Sequence, residues 1–346
     1  MRDPERLLTC PPGTPGRDDA ARWLRTLVGL GRAPNTVAAY ARGISAYLAF
    51  CVATARSPLD AGLEHVSLFV GHLRGLPGQR GPNVFDIGSG CGLSTATLQQ
   101  RLCAVRLWYD YLKFEGKVDR NPVPRGHRPM GPGSGRGRRG LIQGQTKLPK
   151  IPSDTAWRSL CDAVRTEPAR NRLMFSLAYS CALRREELVS LRVGDVDAAG
   201  HLVTVRAETT KTKRGRVVPY QPEIDPLLGE YLAGWRGRAA RGVDRLFLSD
   251  SPRNRGEGLT PSSWSKVVER IRDRARVAGF STHTLRHLRL THLARGDMKA
   301  HELAAFAGHK SVTTTLIYLH LTGRDLAQSV ASASERLALT QPIWDS

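Results

Sequence analysis

Apolar residues recur at helical spacing along two long stretches of the chain, and a short alternating stretch interrupts the second. The first stretch runs from Asp18 to about Lys117. Asp18 and Asp19 open a helix carrying Trp23, Leu24, Leu27 and Val28. A second helix starts near Asn35 and Thr36 and aligns Val37, Tyr40, Ile44, Tyr47, Leu48 and Cys51 on one face. A third is expected over 63–76, and a fourth from Ser94 carries Leu98, Leu102, Val105, Leu107, Trp108, Tyr111 and Leu112. Asn121-Pro122 ends the run. The second stretch begins at Ile151, with helices expected at 153–166, 169–181 and 184–191. HLVTVRA (201–207) and GRVVPY (215–220) then alternate as two strands of a hairpin, with TTKTKR at its tip. Helices follow at 223–238, 261–278, 284–295, 298–307, 311–321 and 325–338. The pattern predicts a mainly α protein with a small β-sheet.

Composition divides this pattern into domains. Residues 1–17, rich in Pro and Gly, read as a disordered N-terminus, and 18–124 as a helical domain. Residues 125–150 hold seven Lys/Arg, no acid and many glycines, so they cannot bury a core and form a linker. A second domain spans 151–322, and 323–346 is a tail whose Leu326, Val330, Ala333 and Leu337 share a helix face. The 346 residues suffice for two cores.

Charge then points to a partner. The chain has 52 Lys+Arg against 31 Asp+Glu, a formal net charge of +21, which favours a polyanion. Nucleic acid is the first candidate and an anionic membrane surface the second. In the linker, Arg136, Arg138, Arg139, Lys147 and Lys150 are expected to lie along DNA phosphates. The opening MRDPERLLTC is not a signal peptide, and no stretch is expected to approach the roughly 20 apolar residues of a membrane span. The six cysteines form no CxxC pair and read as buried hydrophobes of a reducing cytoplasm.

One motif suggests different chemistry. DIGSGCGLS (86–94) resembles the Gly-rich loop of adenosylmethionine-dependent methyltransferases. No strand precedes it, and Asp110, the acid at the right distance, sits in the helical run RLWYDYLKF. A Gly-rich loop leading into a helix accounts for it better.

Four segments of the second half each present phosphate-handling groups. In CALRREELVSLRVGDVD (181–197), Arg184 opens a short helix and Glu187, three residues on, can steady its guanidinium. In TTKTKRGR (209–216), Lys211 is the candidate proton donor to a leaving oxygen, with Lys213 the alternative and Arg214 a phosphate contact. In THTLRHLRLTHLA (282–294), His283 and Arg286 share a helix face. His283 and His287 also have zinc-type i, i+4 spacing, but the HExxH glutamate is missing and Arg286 and Arg289 would repel a metal. In AFAGHKSVTTTLIYLH (305–320), His309 starts a turn and Tyr318 follows on a helix. Ionising a phenol of pKa near 10 at pH 7 costs about 4 kcal/mol, which surrounding cations can offset.

Together these boxes resemble the tyrosine recombinase (phage integrase) family over about residues 20–335. ALRREEL resembles its first-arginine box, TKTKRGRVVP its β-hairpin lysine box, THTLRHLRLTHLARGD its H-x-x-R box, and the segment from His309 to Tyr318, nine positions apart, its GH…TT..Y box. PNTVAAYARGISAYLAF and LSTATLQQRLCAVRLWYDYLKFEG…NP resemble the family's helical, SAM-like core-binding domain. The first box departs from the family by reading Cys-Ala-Leu-Arg-Arg, where a Gly and a small apolar residue are usual.

The resemblance implies a two-domain clamp on double-stranded DNA, a core-binding domain joined to a mixed α/β catalytic domain. It implies a site-specific recombinase or integrase whose Tyr318 attacks a phosphate held by Arg184, Arg286, His283 and His309, giving a 3′-phosphotyrosine, while Lys211 protonates the 5′-oxygen. Neither metal, ATP nor other cofactor is implied, because the covalent intermediate keeps the bond energy. The tail would dock on a neighbouring copy, giving a tetramer on DNA in the bacterial cytoplasm, associated with the nucleoid. The rival expectations are a type IB topoisomerase, which would work as a monomer, and a DNA-binding relative that has lost catalysis.

Overall fold

The computed structural model describes residues 3–75, 93–123, 141, 142, 149, 151–210, 212–237 and 242–319. The chain divides into two compact units, Met1–Thr146 and Lys147–Ser346.

The first unit is built from α1 (Arg17–Gly29), α2 (Pro34–Ala53), α3 (Leu63–Gly75) and α4 (Thr95–Phe114). Pro34 stands in the first turn of α2, where its missing N–H costs nothing, and the Ser94 hydroxyl accepts from Thr97 N–H to start α4. The core takes Trp23 and Leu24 from α1, Ile44 and Leu48 from α2, Phe69 and Leu73 from α3, and Val105 and Trp108 from α4. Each such side chain contributes roughly 1.5–3 kcal/mol when fully buried. Gly43 lets α2 and α4 approach closely, since a Cβ there would lie 3.0 Å from the Ala104 Cβ. The buried phenols are paired: Tyr47 and Tyr109 share a hydrogen bond of 2.6 Å, and Tyr109 donates to the Pro58 carbonyl.

Three expectations change here. Within the segment expected to be disordered, Pro4–Leu7 form a 3-10 turn, Leu8 and Cys10 enter the core, and Arg17 pairs with Glu5 at 2.7 Å. α2 is long and apolar enough, by length and composition, to cross a bilayer, although no such stretch was expected. Its mean hydropathy of 1.3 arises because Ile44, Tyr47, Leu48 and Cys51 are core positions of this unit. Ile142, assigned to the linker, is buried against the same helices, and the Gln99 amide donates to its carbonyl. The Gly-rich motif lies outside the described residues except for Leu93 and Ser94, and Asp110 sits on α4, where it accepts from the Asn121 amide.

In the second unit, α5 (Asp154–Arg165), α6 (Ala169–Ser180) and α7 (Arg185–Val189) precede a three-stranded antiparallel sheet. Its strands are β1 (Val196–Asp197), β2 (Leu202–Val205) and β3 (Arg216–Pro219), with Val203 opposite Val218 and Val205 opposite Arg216. Val203, Val205 and Val218 face the core, and Thr204 and Val217 face outward, as the alternation requires. β1 is too short to leave a periodic signal. α8 (Asp225–Tyr231) passes into a π-helical turn over Leu232–Arg236, where the pattern predicted one continuous helix. The buried Arg236 guanidinium there donates to the carbonyls of Val243, Arg245 and Leu246. The unit continues with α9 (Pro261–Arg274), α10 (Thr282–Arg295) and α11 (Ala300–Ala307). The helix expected over 311–321 is instead a 3-10 turn, Val312–Thr314, and a short α12 (Leu316–Leu319). The helix expected over 325–338 lies outside the described residues.

The main core of this unit centres on Leu173, Phe247, Trp264, Ile271 and Phe280. A smaller cluster of Ala182, Leu290, Leu303, Ala307 and Tyr318 lies beside it. That cluster brings α10, α11 and α12 under the segment that leads into α7.

Candidate active site

Arg184 is the N-cap residue of α7, and Glu187 stands at its third position. The Glu187 carboxylate accepts from the Arg184 N–H at 2.9 Å and from its Nη1 at 2.8 Å. Glu187 is buried, and Arg216 from β3 grips both its oxygens. Burial alone would raise this carboxyl's pKa. The hydrogen bonds and charge of Arg216, then those of Arg184, outweigh it and hold the value at about 2. Two guanidiniums are thus fixed on one carboxylate, which places them without cancelling their joint charge.

Arg286 comes from α10 and is among the most buried side chains of the chain. Its Nη1 donates to the Ala182 carbonyl at 2.6 Å and its Nη2 to the Ala307 carbonyl at 2.5 Å. Burial, followed by the charge of Arg184, lowers its pKa to about 9, so it stays cationic at neutral pH. Ala182 adopts a left-handed φ of 48°, a conformation that favours glycine. This is the position at which the first box departs from the usual family pattern. Gly308, at φ 64°, ends α11 so closely against Arg216 that a Cβ would lie 3.0 Å from its Nη1.

His309 follows that glycine. Its Nε2 lies 3.2 Å from the Arg286 Nη2 and its Nδ1 2.8 Å from the Thr315 hydroxyl. A guanidinium offers no acceptor, so Nε2 accepts and the Nδ1–H donates to Thr315. Burial, then Arg286, Arg184 and Arg216, lowers the imidazole pKa to about 4, which keeps it neutral. His283, on the same helix as Arg286, is only partly exposed. Desolvation and then the charges of Arg286 and Arg184 lower its pKa.

Tyr318 is 4% exposed, and its ring lies nearly parallel to that of His309 with centroids 6.3 Å apart. Burial raises the phenol's pKa, while the charges of Arg286 and Arg184 pull it down. Its hydroxyl is 2.6 Å from the Nδ1 of His287, whose pKa is lowered to about 4, first by burial and then by His283, Arg286 and His309.

The structure therefore gathers Arg184, Glu187, Arg286, His309 and Tyr318, with His283 at the rim. Lys213 and Arg214 stay exposed at the hairpin tip, where they are held by backbone bonds to Thr210. Lys211, Arg136, Arg138, Arg139, Lys147 and Lys150 lie outside the described residues, as does the tail 323–346. Three members of the site escaped assignment from sequence: Arg216, Thr315 and His287. Arg216 stands in the lysine-box hairpin and Thr315 in a threonine run. The i, i+4 pairing of His283 with His287 was the one signal for His287, and it suggested zinc. Among the described residues no group of three or more His, Cys, Asp or Glu could hold a metal ion.

Guanidinium and imidazole groups drawn from four chain segments thus surround one phenol, on a mostly helical frame with a small sheet. Residues 154–324 match the phage integrase family. The tyrosine recombinase XerC of Pelotomaculum thermopropionicum is 30% identical over 245 residues, spanning 68% of this chain and 74% of that protein. The tyrosine recombinase XerD of Corynebacterium glutamicum is 28% identical over 328 residues, spanning 92% and 98%. In fold the chain is similar to the XerH site-specific recombinase bound to palindromic difH substrate, with TM-score 0.65, 18% identity and coverage of 95% of this chain and 94% of that one. A lambda integrase dimer bound to a COC′ core site matches with TM-score 0.61, 17% identity and coverage of 89% and 96%. The chain belongs to the phage integrase family of tyrosine recombinases, enzymes that cleave and rejoin DNA strands.

Proposed function

We propose that this chain is a site-specific recombinase that binds duplex DNA and exchanges strands through a 3′-phosphotyrosine on Tyr318. The observation that supports this most is the convergence of Arg184, Arg286 and His309 on that one buried phenol. Arg184 and Arg286 bind the non-bridging oxygens of the scissile phosphate and stabilise the charge of the pentacoordinate transition state. His283 and His309 hydrogen-bond the same group. The phosphate's negative charge favours a proton on His309 Nε2, which turns that nitrogen from acceptor to donor. The phenolic oxygen bonds to phosphorus, the bond from phosphorus to the 5′-oxygen breaks, and Lys211 supplies the proton to that oxygen. A 5′-hydroxyl of another strand reverses the step. Neither ATP nor a metal takes part in this scheme.

Most affinity would come from phosphates and fall steeply with salt, with Lys213, Arg214 and the linker cations contributing. The tail 323–346 would dock on a neighbouring copy, so that four chains act on two paired sites, in the bacterial cytoplasm on the nucleoid. The test is a nicked suicide duplex, selected from random-sequence DNA for binding, with its two cut ends labelled separately. Covalent protein on the 3′-phosphate with a free 5′-hydroxyl is the expected product. Attachment to a 5′-phosphate would overturn the reading.

A further inference from the structure

The Tyr318 hydroxyl bonds to a residue that the phosphate-binding set does not include. His287 Nδ1 lies 2.6 Å from it, and no guanidinium hydrogen bond to this hydroxyl is present among the described residues. The two residues are 31 apart in sequence, so the contact is made by the fold and not by a helix repeat. His287 makes ring contacts with two members of the site. The His283 ring meets it edge to face with centroids 4.2 Å apart, and the Tyr318 ring packs against it at 5.6 Å. The phenol is almost fully buried in the cluster of Ala182, Leu290, Leu303 and Ala307. A buried hydroxyl without a partner is costly, so its rotation is set by the acceptor that it finds.

We propose that His287 is a positioning residue for the nucleophile, accepting the phenolic hydrogen bond and thereby fixing the direction of the Tyr318 oxygen before a phosphate arrives. This rests on the reading of Tyr318 as the nucleophile. The ionisation pattern agrees with orientation and argues against base catalysis in the resting enzyme. The phenol is held above its ordinary pKa and the imidazole at about 4, so the proton stays on oxygen. The imidazole, uncharged at neutral pH, has a lone pair to offer. A cation at this position would repel Arg286 and could not accept. Directional control matters because small misplacements of an attacking atom cost large factors in rate.

The experiment compares His287→Asn, His287→Phe and Tyr318→Phe in the full-length protein. Adduct formation is followed on the nicked duplex in single turnover, and DNA affinity is measured separately. Asn presents an amide oxygen near the place of Nδ1, whereas Phe fills the space without an acceptor. The proposal expects unchanged DNA affinity in both His287 variants. It expects adduct formation slowed about 10- to 100-fold in His287→Phe and largely restored in His287→Asn. Wild-type rates in His287→Phe would overturn it, and so would equal losses in both variants with DNA affinity intact. Should His287→Phe unfold, the circular dichroism spectrum reports it, and His287→Gln, whose acceptor reaches beyond the Nδ1 position, replaces it with a predicted rate near that expected of Phe. Tyr318→Phe reports separately: an adduct surviving there sinks the nucleophile reading, whereas its loss beside a wild-type-like His287→Phe sinks the positioning role alone.

Discussion

Arg216 holds Glu187 by two parallel hydrogen bonds, Nη2 to Oε2 at 2.8 Å and Nη1 to Oε1 at 3.1 Å, with both side chains buried. Glu187 in turn orients Arg184, so one carboxylate positions two cations. Removing one partner of a buried ion pair leaves an uncompensated charge and costs about 3–5 kcal/mol. Glu187→Ala is expected to lower the stability of the second unit by that amount and to abolish adduct formation. Urea unfolding followed by a probe in this unit checks the first effect. A loss below about 1 kcal/mol would contradict the linked-cation picture.

Gly308→Ala tests the same contact from the other side. The new methyl would meet the Arg216 Nη1 at 3.0 Å and its Cδ at 3.2 Å, on a backbone with φ 64°. Strain of this kind exceeds the roughly 0.4–1 kcal/mol that Ala gains elsewhere by stiffening the unfolded chain. The variant is expected to melt earlier and to cleave more slowly than wild type. A raised melting temperature would show that Arg216 yields freely.

Much of this was legible beforehand, and the gaps have physical causes. The long helices and the β2–β3 hairpin announce themselves because each buries one periodic face, as Val37, Ile44, Tyr47 and Leu48 do on α2. The 3-10 turn Pro4–Leu7, the two-residue β1 and the π turn after Tyr231 are too short or irregular to repeat a pattern. In the site, Arg184 and Glu187 were readable because they lie three residues apart on one helix. Arg216 with Glu187, His287 with Tyr318 and Thr315 with His309 join through tertiary packing, which a one-dimensional pattern does not encode.

Acid should loosen the second unit early. His287 and His309 are held at about 4, below the value near 6.5 that an unfolded chain allows. Between those values the unfolded state binds more protons. The stability from keeping these rings neutral is therefore complete above pH 6.5 and is lost as pH falls towards 4. Glu187, at about 2, adds a second loss that sets in as pH falls through the ordinary glutamate value near 4.3 and is complete below about 2. Urea midpoints at pH 7.5, 6 and 4.5 should decline steadily; a flat profile over this window would contradict the burial assigned to the imidazoles.

The linker cations give a salt prediction. Replacing Arg136, Arg138, Arg139, Lys147 and Lys150 together by Gln should weaken binding to all duplexes alike. Each lost phosphate contact should flatten the slope of log affinity against log salt by about 0.9. An unchanged slope would place these residues away from DNA.

Deleting residues 324–346 should leave binding to a single site intact and abolish pairing of two sites, read by gel mobility and by exchange between two labelled duplexes. Recombination at the wild-type rate would remove the tail from the assembly.

Whether Tyr318 is the nucleophile is settled by identifying the residue that carries the DNA. The adduct trapped on the nicked duplex is digested with protease and nuclease, and the modified peptide is sequenced by mass spectrometry. A nucleotide on the Tyr318 oxygen is expected in wild type, and no adduct in Tyr318→Phe. A nucleotide on any other residue, or an undiminished adduct in Tyr318→Phe, would contradict it.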